Sequence, residues 1–181
     1  MRKILVLALL ILAIPVRADV NGNPAAGQAS NGGCPAVQDT MPDRAAGLAG
    51  PHWTGWGVDG AQSRFQPAAM ARLAPEDVPR LKLKWAFGFP GAKRAIAPPA
   101  VLGGHLFVGS RSGKVYSLDA KSGCVHWAFD AGAPVRTAIS IGQGARGWSV
   151  YFGDQRANAY GVDAASGELV WKLTSRNIRA P

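Results

Sequence analysis

The sequence is poor in the residues that most often hold metals, haem or a membrane. It has two cysteines and three histidines in 181 residues. His52, His105 and His126 lack metal-ligand spacing and read as surface or packing residues. Cys34 opens CPAVQ and Cys124 opens CVHW, so neither lies in C-x-x-C-H, and no covalently attached c-type haem is encoded here. Blocks of like charge are also missing. The formal charge is +9, yet Lys and Arg are scattered singly, with no run and no aromatic interleaving. That pattern describes a solvated surface and gives no sign of a nucleic-acid partner. After Ile14 no apolar stretch is long enough to span a bilayer, and beyond Pro90 there is no amphipathic helix of normal length.

The first residues do carry an apolar run. MRKILVLALLILAIPVRA has a basic start at Arg2 and Lys3, 11 apolar residues from Ile4 to Ile14, a break at Pro15, and small residues at Val16 and Ala18. This is the three-part pattern of a secretory signal over 1–18, cleaved after Ala18. The competing reading is a membrane anchor, but the run is short of the roughly 20 residues a span needs. Cleavage leaves an exported chain of 163 residues, periplasmic or secreted, with no stable membrane anchor. In such a compartment Cys34 and Cys124 would pair in one disulfide or stand as separate thiols.

Residues 19–51 are rich in Gly, Ala, Asn and Pro without apolar periodicity, and read as a flexible lead-in. From His52 the texture changes. HWTGWGVDGAQSRFQ sets three large aromatics among glycines, and LAPEDVPRL allows one helical turn between Pro75 and Pro79. Thereafter apolar residues alternate. LKLKWAF places Leu81, Leu83 and Trp85 on one face of an expected half-buried strand. HLFVGS and KVYSLDA form a hairpin across Arg111, Ser112 and Gly113, and CVHWAFD follows. The order then recurs as VRTAISI, SVYFGD, NAYGVDA and ELVWKLT. The chain is all-β.

That recurrence is a repeat. LFVGSRSGKVYSLDAKSGCVHWAF, from Leu106 to Phe129, aligns without a gap on VYFGDQRANAYGVDAASGELVWKL, from Val150 to Leu173. Tyr116 falls on Tyr160, Asp119 on Asp163, Gly123 on Gly167 and Trp127 on Trp171. KWAF, ending at Phe87, precedes HWAF, ending at Phe129, by 42 residues. A period of 42 to 44 residues holding four short strands is that of propeller blades. The shared residues have structural roles. Each Asp fixes a turn, each Gly closes it at positive φ, and each Trp covers the face between one blade and the next.

LDAKSGCVHW and VDAASGELVW resemble the tryptophan-docking motif of quinoprotein propellers, A-x-D-x-x-T-G-x-x-x-W, with Ser122 and Ser166 in place of Thr. The lead-in from His52 to Phe87 looks like that of dehydrogenases using pyrroloquinoline quinone (PQQ). WGVDGAQSRFQ and GFPGA bring it nearest the exported polyvinyl-alcohol dehydrogenase branch. The resemblance implies an eight-bladed ring, with PQQ across the central channel above a calcium ion. It implies oxidation of an alcohol and passage of electrons to a cytochrome c. In that fold the innermost strands line the channel, which makes Arg136 and Thr137 in VRTAIS the cofactor-binding candidates. Arg136 would pair with a PQQ carboxylate and Thr137 would offer a hydroxyl. The alternative for Arg136 is a surface ion pair or a bond between blades. Asp154 and Gln155 would face the channel mouth, or Asp154 would cap its turn.

The resemblance covers 52–174, a partial propeller of about two four-stranded antiparallel blades plus one extra strand, LKLKWAF, which resembles the strand that completes the family's last blade and here would have no sheet to join. A propeller closes with 4 to 8 blades. The expectation is therefore the N-terminal part of an exported PQQ-dependent alcohol dehydrogenase, not expected to bind the cofactor tightly alone, with catalytic residues unassigned. After WKLT, residues 175–181 cease to match a blade and read as an irregular tail, a frameshifted or truncated end. A non-catalytic propeller scaffold that binds proteins, or a gene remnant, are the other readings.

Overall fold

The computed structural model describes residues 41–43, 48–145 and 147–175. The expected signal, most of the flexible lead-in, Cys34 and the last six residues lie outside them. Before the sheets come one α-helical turn, α1 (Ala68–Ala71), and a 3-10 turn over Pro75–Arg80. Pro75 opens the 3-10 turn, and the Asp77 carboxylate accepts the Ala74 N–H at 3.0 Å.

Eight strands then form two four-stranded antiparallel meanders. The first is β1 (Ala100–Leu102), β2 (His105–Gly109), β3 (Lys114–Asp119) and β4 (Val125–Asp130). The second is β5 (Ser140–Gln143), β6 (Trp148–Gly153), β7 (Asn158–Asp163) and β8 (Leu169–Thr174). The two sheets are copies down to an irregularity in register. β3 and β4 slip between Ser117 and Leu118, and β7 and β8 slip at the equivalent step between Gly161 and Val162.

The turn motif acts as its chemistry predicts. One oxygen of Asp119 accepts the N–H groups of Lys121 and Ser122 and the Ser122 hydroxyl proton, and the Ser122 hydroxyl accepts the Cys124 N–H. Asp163 and Ser166 repeat the set with Ala165 and Glu168. Serine thus performs the role the motif usually gives to threonine.

The sheets pack face to face. Phe107 and Val115 of the first meet Val150, Phe152, Tyr160 and Val162 of the second, and all six are buried. Trp127 and Phe129 pack against the rim of this core. Strand alternation sends Val108, Tyr116 and Leu118 to the opposite face of the first sheet, where Trp85, Phe87 and Phe89 cover them.

Two expected strands differ in the structure. The LKLKWAF segment pairs with no sheet: Trp85 and Phe87 find an apolar surface, while Leu81 and Leu83 stand 63% and 86% exposed. Its alternation is real, but among the described residues no neighbouring strand meets its backbone. VRTAISI contributes only its end to β5, because the linker before it is held by hairpins on both sides. The Val135 N–H donates to Ser110 O at 3.0 Å, and the Gln155 N–H donates to Pro134 O at 3.0 Å. A strand not foreseen is β1, only three residues long and preceded by Pro98 and Pro99.

The lead-in also covers the inner edges of both sheets. Trp53 exchanges two backbone hydrogen bonds with Val101 of β1, at 2.8 and 2.7 Å, and Thr54 O accepts the Ile141 N–H of β5 at 2.7 Å. Exposed strand edges invite wrong pairing. Here one extended segment occupies two of them.

Candidate functional site

β1 and β5 are the first strands of their sheets, and the loops leading into them share a side of the molecule with the β2–β3 and β6–β7 hairpins. Arg136 and Thr137 lie there, in the linker between β4 and β5. Arg136 is exposed and makes no ion pair or hydrogen bond among the described residues, so its planar fork is uncommitted. Thr137 is committed. Its hydroxyl donates to Gly153 O and accepts the Gly153 N–H, both at 3.1 Å, tying the linker to the end of β6.

Asp154 caps its hairpin. One carboxylate oxygen accepts the Arg156 and Asn158 N–H groups, and the other accepts from the Asn158 side chain at 2.7 Å and lies 2.8 Å from the Tyr160 hydroxyl. Gln155 is exposed beside it and spends its N–H on Pro134.

Register assembles a cluster that spacing alone did not reveal. His105 on β2 pairs with Asp119 on β3, and β4 brings His126 alongside. The two imidazoles stack with centroids 4.2 Å apart, His105 Nδ1 is 3.0 Å from the Ser117 hydroxyl, and His126 Nε2 is 3.9 Å from the Asp119 carboxylate. Burial lowers the pKa of His126, against the opposing pull of Asp119. Hydrogen bonding from Ser122 lowers that of Asp119. Among the described residues no set of three His, Cys, Asp or Glu side chains is placed to hold a metal ion. Cys124 is disulfide-bonded.

The blade contact is the most regular feature. The Trp127 indole lies on Gly167, with Nε1 donating to Ala164 O at 3.0 Å. The Trp85 indole lies in the same way on Gly123, with Nε1 donating to Ala120 O at 3.2 Å. Trp171, the third of the series, is 38% exposed.

A second concave region adjoins β1. Trp53, Trp56, Arg64, Pro98, Pro99 and Val101 line an open cleft of about 420 Å³. The Arg64 guanidinium sits over the Trp56 ring, 4.8 Å from its centre.

For PQQ, a planar tricarboxylate, the uncommitted Arg136 fork fits a carboxylate. Thr137 offers a lone pair but has given its proton to Gly153. A calcium ion takes six to eight oxygen ligands, carboxylates prominent among them, and among the described residues no three His, Cys, Asp or Glu side chains converge.

Residues 82–179 match the PQQ_2 family, described as outer membrane protein assembly factor BamB. The chain is 39% identical over 155 residues to a polyvinylalcohol dehydrogenase of a Pseudomonas species, covering 83% of this chain and 22% of that one. It is 40% identical over 124 residues to the polyvinylalcohol dehydrogenase of Sphingopyxis sp. (strain 113P3), covering 66% of this chain and 18% of the relative. Among solved structures, a quinohemoprotein alcohol dehydrogenase from Pseudomonas putida HK5 superposes with a TM-score of 0.63 at 22% identity, over 80% of this chain and 22% of that one. The enzyme of the same description from Comamonas testosteroni gives 0.60 at 24% identity, over 74% and 21%. The chain spans about a fifth of the length of these relatives. Two blades with the tryptophan-docking contact, an all-β propeller-type fold and the match over 82–179 together establish that the chain belongs to the PQQ_2 family of quinoprotein-type propellers.

Proposed function

We propose that this chain is the N-terminal part of an exported PQQ-dependent alcohol dehydrogenase. It acts on polyvinyl alcohol or a similar secondary alcohol and hands electrons to a cytochrome c. The observation that carries this reading is the 39% identity to a polyvinylalcohol dehydrogenase over 83% of the chain. An alignment of that extent includes the WTGWG lead-in as well as the first blade. When bound, PQQ supplies the two-electron oxidation of the alcohol. Arg136 would hold one of its carboxylates through a charge-assisted pair, and Thr137, bonded to Gly153, would fix the linker that carries Arg136.

The gene read through and beyond the codons for Thr174 to Pro181 provides the first test. Further D-x-x-[ST]-G-x-x-x-W units are expected downstream when all frames are read, and the complete product, supplied with PQQ and calcium, reduces an artificial dye with polyvinyl alcohol as donor. Arg136→Gln weakens PQQ binding by about tenfold, the scale of a lost charge-assisted pair. A complete product that folds and binds no PQQ overturns the reading. It would favour the second one, a non-catalytic scaffold, which is supported by the assembly-factor description of the PQQ_2 family.

A further inference from the structure

The cleft beside β1 is built by a closed loop. Val58 N–H donates to Ser63 O at 2.9 Å, Gln62 N–H donates to Asp59 O at 3.0 Å, and the Asp59 carboxylate accepts both the N–H and the hydroxyl of Ser63, at 2.9 and 2.8 Å. Closure of 58–63 brings its two flanks together, which places Arg64 over the Trp56 ring. On the other side Trp53 is fixed by its two backbone bonds to Val101, and Pro98 and Pro99 lead rigidly into β1. None of these walls depends on a long flexible side chain except Arg64.

The lining decides the ligand chemistry. Two indoles, two pyrrolidine rings and a valine present C–H and π surface, with one guanidinium and no carboxylate. A strongly anionic ligand would find a single cation already placed over an aromatic face. A pure hydrocarbon would desolvate the guanidinium without giving it an acceptor. A neutral chain that alternates methylene and secondary-alcohol carbons meets both demands, with its C–H edges on the rings and its hydroxyl oxygens accepting from Arg64. The volume of about 420 Å³ falls within the range of ligand sites, and an open cleft lets a long chain pass through.

We infer that Trp53, Trp56 and Arg64 form a binding subsite for a polyol chain, holding the polymer against the inner strand next to the channel. The inference rests on the dehydrogenase reading for its substrate class, but its test involves no PQQ.

The test is calorimetric titration of the full chain with a fully hydrolysed polyvinyl alcohol oligomer, with 2,4-pentanediol and polyethylene glycol as comparators. The oligomer is expected to bind at least tenfold more tightly than the diol, because linked repeats rebind at high effective concentration. Trp56 is 50% exposed, so Trp56→Ala should leave the fold intact by circular dichroism. It should weaken the oligomer by about tenfold, the order expected for a lost aromatic platform. Arg64→Gln keeps the stem and removes the charge, and should weaken it severalfold. Absence of oligomer binding, equal binding of polyethylene glycol, or indifference to both substitutions overturns the proposal. So does self-association of the chain that Trp56→Ala abolishes, since the cleft would then take a second copy. A protein that fails here yet binds PQQ as a complete product loses the subsite and keeps the dehydrogenase reading.

Discussion

The Trp127 ring rests on the α-carbon of Gly167 so closely that a Cβ there would stand 2.7 Å from the indole. Gly167 also adopts φ +76°, a region that costs other residues about 1–2 kcal/mol. The same pair of constraints acts between Trp85 and Gly123, where φ is again +76°. The half-buried Trp127–Gly167 contact couples the two sheets, whereas the Trp171 ring lies on Gly161 and Tyr151 of its own sheet and stays 38% exposed. Trp127→Ala should therefore destabilise the chain by about 3 kcal/mol, the lower end for large aromatic truncations. Trp171→Ala should cost under about 1 kcal/mol, as at most surface sites. Urea unfolding followed by circular dichroism checks the contrast, and equal losses for the two would show that the docking contact does not hold the blades together.

The equivalent hairpins differ in the residue that closes each turn. Gly113 closes the β2–β3 turn at φ +92°, whereas Ala157 closes the β6–β7 turn at φ +58°. Alanine in the left-handed region bears a strain that glycine escapes, offset in part by the greater freedom glycine has when unfolded. Ala157→Gly should raise stability by about 0.5 kcal/mol. Gly113→Ala should lower it by more than 1 kcal/mol, since its Cβ would also lie 3.1 Å from the Ala133 nitrogen. Thermal unfolding of the two single variants should move the midpoint in opposite directions.

These turns were legible in the sequence because each is local. Asp119 and Ser122 satisfy donors within five residues, so spacing alone carries the information, and alignment of the second copy doubles it. The docking tryptophans were legible through the repeat itself, since Trp127 recurs as Trp171, although the partners of Trp127, Ala164 and Gly167, lie in the next sheet. What depended on partners far along the chain was not. β1 is too short to alternate, and LKLKWAF alternates as a strand does while among the described residues no strand lies beside it. His105 and His126 meet only through the β2–β3–β4 register. Of the two candidates in VRTAIS, Arg136 is exposed, whereas the Thr137 proton goes to Gly153, 16 residues away. The cleft joins residues 53–64 to 98–101. Only its aromatic half stood out, as WTGWG.

Acid should weaken the fold through His126. Burial holds its pKa below the ordinary histidine value, while Asp119 pulls the other way. A depressed pKa means that the unfolded chain takes up the proton first, so this contribution is complete above about pH 6.5 and is lost as the pH falls below it. The groups facing the ring are His105 and Asp119, both in the first sheet. The unfolding midpoint is expected to fall between pH 7.5 and pH 5.5, and His126→Phe, which retains the stack, should flatten that slope. An unchanged slope would place the titrating group elsewhere.

Alkali should act through Tyr160. Its hydroxyl lies 2.9 Å from Ala131 O and 2.8 Å from the Asp154 carboxylate, and the side chain is 2% exposed. Burial, and then the hydrogen bond and charge of Asp154, push its pKa up to about 12. The shift is upward, so the stability it confers is present below the ordinary tyrosine value near 10 and disappears as the pH rises towards 12. Tyr116, its partner in the repeat, has Ser110 where Tyr160 has Asp154, and its pKa is raised chiefly by burial. Two substitutions separate the causes. Asp154→Asn should bring the Tyr160 phenolate in at lower pH by ultraviolet absorbance, leaving Tyr116 unmoved. Tyr160→Phe should cost about 1–2 kcal/mol, because Ala131 O and the Asp154 carboxylate then lose the one hydroxyl proton that both face. If Asp154→Asn leaves the Tyr160 titration where it was, burial alone sets the shift, and the carboxylate serves the hairpin only through Arg156 and Asn158.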